Sequence, residues 1–328
     1  MLNLYSVFYL ITSLAIVFLI IFKIKTVSNF LNLKDKPKNT TEQTNNKTPL
    51  LGGLLILIIL SNYYAIYYQD DIFFKLKYIF LLIIYFFIGL IDDYIDLNAI
   101  NKLIICSFFT YIFLIFNEEI IINKFYSSIL EKEFDLGKIN IIFKIICFLI
   151  LFNILNLLDG INGSLLSFSI SVILVFLQIT LEPFILIFAA ATLIVLSLNL
   201  KNKLFLGNSG ASLMSAVFAI LLIILYNNYE QSMYSEKILI LFFLPLIDAI
   251  RLFIQRIFNN RSPFQRDLNH FHHLVLSNFS KKTWVITLIL ANVFFYNLSH
   301  YINDLYVLLI QIFLYYTLIK INFSKLAS

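Results

Sequence analysis

Four clusters of polar side chains interrupt this chain, and each holds residue types able to do chemistry. The first is Ile91-Asp92-Asp93-Tyr94-Ile95-Asp96. It follows an almost unbroken apolar run from Tyr78 to Leu90, so three carboxylates stand where a greasy helix is expected to end. If that helix continues one turn, Asp92 and Asp96 are four apart, Asp93 and Asp96 are three apart, and all share a face. An aspartate inside the bilayer costs roughly 2.5–3.5 kcal/mol on insertion scales, which places the trio at the water interface. Clustered carboxylates with no adjacent base want a cation, and hard oxygen ligands suit magnesium. The chemistry expected is a magnesium-dependent phosphate site on a membrane surface.

The second cluster is Asn153, Asn156 and Asp159, which recur every three residues and so line one helical face. Gly160 and Gly163 then permit a tight turn in which backbone approaches a ligand. Such amides ligate a metal or hydrogen-bond a uracil or sugar; the same spacing also serves as a polar stripe stitching helices together. The third cluster, Gly207-Asn208-Ser209-Gly210, precedes a helix, where backbone N–H groups and the helix dipole suit a diphosphate. A plain helix start with a serine cap explains those residues equally well. The fourth runs through Arg251, Arg256, Arg261-Ser262-Pro263-Phe264 and His270-Phe271-His272-His273. Three of the chain's four histidines fall within four residues, which suggests phosphate binding or proton handling. No cysteine or acid beside them has zinc-site spacing. Lys102, the one base in its loop and ten residues after Asp92, is a candidate phosphate contact.

These clusters must be held by membrane helices. Of 328 residues, 60% are hydrophobic and only 13% charged, against about half and a quarter in soluble domains. Long Leu/Ile/Phe runs favour helices over a barrel, whose strands alternate. Cys106 and Cys147 both lie in apolar runs and read as packing residues. Eleven runs are long enough to span: 4–22, 50–68, 77–91, 103–116, 140–158, 164–180, 184–200, 211–226, 238–254, 283–299 and 305–320. The first lacks a basic start and a small-residue cleavage site, so a retained helix is expected. The reading is thus an all-α integral membrane protein, one polytopic domain over 1–328, with about eleven transmembrane helices.

Lys and Arg set the orientation. Loops after odd-numbered spans, with the tail, hold 17 of the 24 basic residues, and the other side holds 11 of the 19 acids. This puts the N-terminus outside and the C-terminus in the cytoplasm. The cytoplasmic loops are about 23–49, 92–102, 156–163, 201–210 and 251–282. All four polar clusters then fall on the cytoplasmic face.

In this order, the motifs resemble the polyprenyl-phosphate N-acetylhexosamine-1-phosphate transferases, glycosyltransferase family 4, over about residues 33–274. The resemblance is carried by Asp35-Lys36-Pro37, Gly52-Gly53, Asp92-Asp93 with Lys102, and Asn153…Asn156…Asp159-Gly160. It continues through Asn199…Lys203…Phe205-Leu206-Gly207…Gly210, Pro245…Asp248…Arg251 and Arg261-Ser262-Pro263-Phe264…His270-x-His272-His273. The last block looks like the sugar-nucleotide branch, not the muropeptide branch.

The resemblance implies a bacterial inner-membrane enzyme. It would pass a sugar-1-phosphate from a UDP-N-acetylhexosamine to a polyprenyl (undecaprenyl) phosphate, releasing UMP. It implies catalytic roles for Asp92, Asp93 and Asp159. Substrate contacts would come from Lys102, Asn153, Asn156, Asn162, Lys203, Arg261, His270, His272 and His273. Magnesium, or manganese in its place, would sit on Asp93, Asn156 and Asn208. Membrane lipid is a partner, nucleic acid is not, and a homodimer is a family expectation. Three departures stand out. No histidine lies between Lys38 and Lys47, Asn162 stands where bacterial relatives often have Asp, and Asn208 stands where the family's Gly-Asp supplies a metal ligand. The first and the last motivate a second reading, a non-catalytic relative that binds lipid or donor. An aromatic prenyltransferase would need a second Asp-rich motif, and a transporter would place polar groups at the midplane.

Overall fold

The structure is a computed structural model that describes residue 12, residues 15–35, 48–67, 72–117, 120, 122, 124–262, 270–276 and 280–326. Within them, 65–67, 72–76, 231, 273, 276 and 322–326 are described by backbone alone. Residues 15–22 are helical and lead to α1 (Ile24–Phe30). Then come α2 (Gly52–Tyr67), α3 (Ile72–Ile95) and α4 (Ala99–Ile115). A β-hairpin follows, β1 (Lys124–Ser127) and β2 (Lys132–Asp135), then α5 (Asn140–Leu158), α6 (Ser164–Ile179), α7 (Pro183–Leu200) and α8 (Gly207–Asn228). The chain ends in α9 (Ser235–Leu241), α10 (Phe243–Phe258), α11 (Phe271–Leu276), α12 (Lys281–Leu298) and α13 (Asp304–Leu326).

Each expected apolar run lies on helix over most of its described residues. Five helices are long and apolar enough to cross a membrane: Lys77–Ile95, Gly137–Leu158, Pro183–Leu200, Gly207–Asn228 and Asp304–Ile321. The bent pair α9–α10 makes a sixth if it is one span. Eleven crossings and the orientation stand as expectations from the sequence. Two details differ from the all-α reading. The loop between α4 and α5 contains an antiparallel hairpin, with Phe125 opposite Phe134 and their rings stacked 4.8 Å apart. The run 238–254 is two helices meeting at 76°, not one. Pro245 sits in the first turn of α10, where it lacks the N–H that would bond back to Leu241, so the ladder breaks there.

The described residues group into two compact units, 1–118 with 181–217, and 119–180 with 218–328. In the first, α2 packs on α7 and α3, and α3 packs on α4. Glycines bring backbones together. A Cβ on Gly53 would lie 2.6 Å from the Cα of Gly210, and one on Gly89 would lie 2.5 Å from the Cα of Ser209. The Gly52 and Gly53 N–H groups donate to the carbonyls of Phe205 and Leu206, both at 3.1 Å. Helix starts and loop carbonyls thus satisfy one another, as buried backbone must.

In the second unit, α6 packs on α12, α5 on α10, and α11 on α12 and α13. Three stripes do this work. Pro245, Asp248, Leu252 and Arg256 are the buried positions of α10, spaced by three or four. Trp284, Leu288, Asn292 and Tyr296 form the stripe of α12, and Asp304, Val307, Gln311, Tyr315 and Ile319 that of α13. Polar groups stitch these faces, as expected where lipid removes the hydrophobic drive between helices. Asn292 donates to the Ser171 hydroxyl at 2.7 Å and Trp284 Nε1 to that of Ser164 at 3.3 Å.

Candidate active site

The first unit carries the paired aspartates at the end of α3. The helix stops at Ile95, and Asp96 takes a left-handed backbone, φ 54°. A shared helical face for all three acids is therefore not formed. Asp96 ends the helix, a conformation that aspartate tolerates better than most residues. Asp92 is buried and pairs with the Lys102 ammonium. Its other oxygen accepts the Leu97 N–H at 2.8 Å. Lys102 reaches it because α4 starts close by, with Asn98 as N-cap accepting the Ile100 N–H at 3.2 Å.

Asp93 points elsewhere. Its Oδ1 accepts the Asn208 N–H at 2.9 Å and its Oδ2 the Ser209 N–H at 3.0 Å. The carboxylate caps the first turn of α8, where orphan donors and the positive end of the dipole favour negative charge. Gly207 allows this with φ 78°, where an added Cβ would stand 2.9 Å from Asp93 Oδ2. Two N–H groups that the sequence offers to a diphosphate are thus engaged by a side chain. Asn199, nearby in sequence, donates to the Leu204 carbonyl at 3.0 Å and shapes the turn before α8. Lys203 is exposed on that turn, its N–H on the Leu198 carbonyl at 3.0 Å.

The second unit carries the amide face and the histidines. Asn153 and Asn156 are half-buried on α5, and Asp159 follows the helix end as its C-cap. The Asn156 amide oxygen is buried without a hydrogen-bond partner among the described residues. Asn162 lies in the turn that Gly163, at φ 88°, closes into α6.

Asp248 is the centre of the histidine cluster. It is buried on α10 and accepts from Arg251 Nη2 at 2.8 Å and from the Tyr315 hydroxyl at 2.7 Å. The Phe271 N–H is 3.2 Å from both of its oxygens, and His270 Nδ1 is 3.1 Å from Oδ2. The His270 and His272 rings stack 5.4 Å apart at 8°. Both line a small pocket with Ile154, Leu158, Pro245 and Trp284. Arg261 is exposed, its N–H on the Arg256 carbonyl at 2.9 Å. The side chain of His273 and residues 263–269 lie outside the described residues, as do Lys36 and Pro37.

The structure thus joins Asp93 to Asn208 and Asp92 to Lys102 in one unit. In the other it joins Asp248 to His270, Arg251 and Tyr315. Asp248 entered the sequence reading only as a motif marker and Arg251 as one of the basic residues of the fourth cluster, yet an acid on the buried stripe of an amphipathic helix, three residues before an arginine, carries a signal of its own. Tyr315 and Trp284 carried none, because a tyrosine or tryptophan on an apolar stripe reads as packing.

Among the described residues no group of three or more His, Cys, Asp or Glu side chains could hold a metal ion. Magnesium keeps several waters and is bound by one or two carboxylates plus substrate phosphates, not by an all-protein cage. The Asp93 carboxylate takes two N–H groups of α8 and the Ser209 hydroxyl, which leaves part of its acceptor capacity for a cation.

Comparison with known proteins adds an independent line. Residues 76–226 match the family described as Glycosyl transferase family 4. The undecaprenyl-phosphate alpha-N-acetylglucosaminyl 1-phosphate transferase of Thermotoga maritima is 26% identical over 210 residues, 63% of each chain. The protein of that name from Escherichia coli K12 is 26% identical over 225 residues, 62% of this chain and 59% of its own. The Yersinia pestis protein is 27% identical over 152 residues, 42% of each. The chain thus matches about three-fifths of the length of the first two relatives.

Proposed function

We propose, from the premise that this chain carries a glycosyl transferase family 4 domain over residues 76–226, that it moves N-acetylhexosamine-1-phosphate from a UDP-sugar to polyprenyl phosphate. The products are a polyprenyl-diphosphate sugar and UMP. UDP-N-acetylglucosamine and undecaprenyl phosphate are the substrates suggested by the relatives' names, and a bacterial inner membrane is the setting. The observation that carries the reading is the first unit's arrangement: a buried Asp92–Lys102 pair next to an aspartate that fixes the Gly207–Gly210 helix start.

The chemistry asks little of a base. A phosphate monoester is largely ionised near pH 7, since its second pKa is about 6. It asks for positioning and for charge neutralisation as the diphosphate is attacked. Asp92 and Lys102 supply a fixed dipole whose ammonium end suits the acceptor phosphate. Asp93 keeps the α8 start rigid. His270, oriented by Asp248, suits a phosphoryl oxygen, and Arg251 adds positive charge beside Asp248. The Asn153 and Asn156 amides suit the uracil or sugar, and the orphaned Asn156 oxygen awaits a donor. Magnesium would be held by Asp93 and the Asn208 amide, and it would supply charge neutralisation at the diphosphate. Direct displacement needs no further protein group.

The test is a donor panel. Membranes or detergent-purified protein with polyprenyl phosphate and magnesium should convert one labelled UDP-N-acetylhexosamine into a chloroform-soluble lipid, with equimolar UMP. No UMP from any donor, with or without magnesium, would falsify the reading.

A further inference from the structure

We propose that Tyr315 is a positioning residue: acting through Asp248, it fixes the tautomer of His270 and leaves Nε2 as the ring nitrogen that meets a phosphoryl oxygen. This rests on the transferase reading for its ligand, but its geometry stands apart. Tyr315 lies beyond residues 33–274, whose motifs carry the family resemblance, and beyond the matched residues 76–226.

The direction of every hydrogen bond in this group is forced. Arginine has only donors, so the Tyr315 oxygen, 2.7 Å from Arg251 Nε, must accept there. Its single proton then goes to Asp248 Oδ1, 2.7 Å away. The same oxygen takes Arg251 Nη2 at 2.8 Å. With Oδ1 so engaged, Oδ2 is left to His270 Nδ1 at 3.1 Å. An ionised carboxylate has no proton to give, so Nδ1 carries one. In the neutral ring Nε2 is then the acceptor, and in the charged ring it is a second donor. A carboxylate that orients a histidine, and is itself held by a third group, follows the logic of activated bases.

The packing keeps this arrangement in one place. The Phe271 ring lies 5.1 Å from the Tyr315 ring and 5.9 Å from that of Trp284, while its N–H is anchored to Asp248. His270 meets Asp248 on α10 and the stacked His272 on its own segment, while Arg251 on α10 and Tyr315 on α13 reach it only through Asp248. Tyr315→Phe is the informative change. It deletes one hydroxyl and keeps the ring that packs on Phe271.

The experiment uses the full chain in detergent or nanodiscs, with UMP release as the assay and UDP-N-acetylglucosamine as donor. Tyr315→Phe is expected to lower kcat about tenfold, less than the roughly 10²–10⁴-fold of an acid–base group itself because it acts through Asp248, and to leave donor KM within about twofold. Losing a donor makes Asp248 a stronger acceptor and favours the charged His270. A phosphoryl oxygen only accepts, so the ring that meets it carries a proton on Nε2, and the alkaline limb of the pH profile should therefore move to higher pH. Tyr316→Phe, on the exposed neighbouring position, should change nothing. The second arm needs no turnover. In protein labelled with 15N-histidine, with His270→Gln for assignment, the unaltered chain should show the proton on Nδ1, and Asp248→Asn should move it to Nε2. Unchanged kcat and pH profile in Tyr315→Phe would overturn the proposal. So would a loss of activity that tracks a lower Tm with the profile unmoved, or a proton on Nε2 in the unaltered chain. If the unaltered chain releases no UMP from any donor, the transferase reading fails, and the 15N signals of His270 in Tyr315→Phe, expected to show both ring nitrogens protonated up to a higher pH than in the unaltered chain, still decide the positioning role.

Discussion

Both units tether an aspartate to the first turn of a helix, yet they balance its charge in opposite ways. In the first, Asp93 takes two N–H groups of α8 while the adjacent Asp92 is matched by one lysine. Two carboxylates against one ammonium leave a local excess of negative charge, which suits a cation. In the second, Asp248 takes the Phe271 N–H of α11 but also Arg251, Tyr315 and His270. One carboxylate against a guanidinium and two imidazoles leaves a neutral or positive group, which suits phosphate. The same device, a carboxylate fixing a helix start, therefore serves two electrostatic ends, and the partners decide which.

The largest effect should come from breaking the balance in the first unit. Lys102→Met leaves Asp92 buried and unpaired, which costs about 3–5 kcal/mol. Denaturant titration should show this loss, and Asp92→Asn in the same chain should recover most of it. A single Lys102→Met variant as stable as the unaltered protein would mean the pair is not the buried one seen here. Next is Asp93→Asn. An amide offers one acceptor where two are needed, so one N–H of α8 loses a charged partner, at about 1.5–3 kcal/mol. The loss should appear in both stability and UMP release, whereas a pure metal ligand would lose activity alone.

Asn208→Asp sharpens the comparison from the other side. It adds negative charge where the first unit already has an excess, and it should lower the magnesium concentration for half-maximal UMP release by about tenfold. A chain silent before the change and active after it would favour the degenerate reading. Gly207→Ala should cost about 1–2 kcal/mol, the penalty for a Cβ in the left-handed region, added to its approach to Asp93. Thermal unfolding measures it.

The smallest expected effect lies away from both aspartates. His300 sits beside Lys237, whose ammonium donates to the Ser299 hydroxyl at 2.6 Å and lies 3.9 Å from Asp304. Burial, and then the neighbouring Lys237 charge, hold the His300 pKa below its ordinary 6.5. The folded state thus prefers the neutral ring, so this contribution is full above about pH 6.5 and is lost as pH falls through the lower folded value. Tm should drop slightly across that window, and His300→Asn should flatten the slope.

The helices were legible in the sequence because membrane spans announce themselves by composition. Apolar runs 140–158 and 184–200 match α5 and α7 to within a residue or so. The break at Phe242 was not read, although Pro245 marks it, because a run of apolar residues masks a kink. The hairpin at 124–135 was missed because two four-residue strands in a polar loop carry almost no periodicity. At the site, Asp92 and Lys102 were both singled out, but as a metal neighbour and a phosphate contact. That they neutralise each other depends on the angle between α3 and α4, which spacing does not give.

Residue types and order alone determined that this is a chain of apolar helices with acids, amides and histidines gathered at their ends. They determined the family resemblance as well, since motifs are linear objects. Which proton donor meets which acceptor was decided only by tertiary structure. Asp93 meets residues 115 and 116 positions away, and Tyr315 meets Asp248 at a separation of 67. Hydrogen bonds act over about 3 Å, so partners that distant in sequence are fixed by how helices pack and by nothing the sequence states locally.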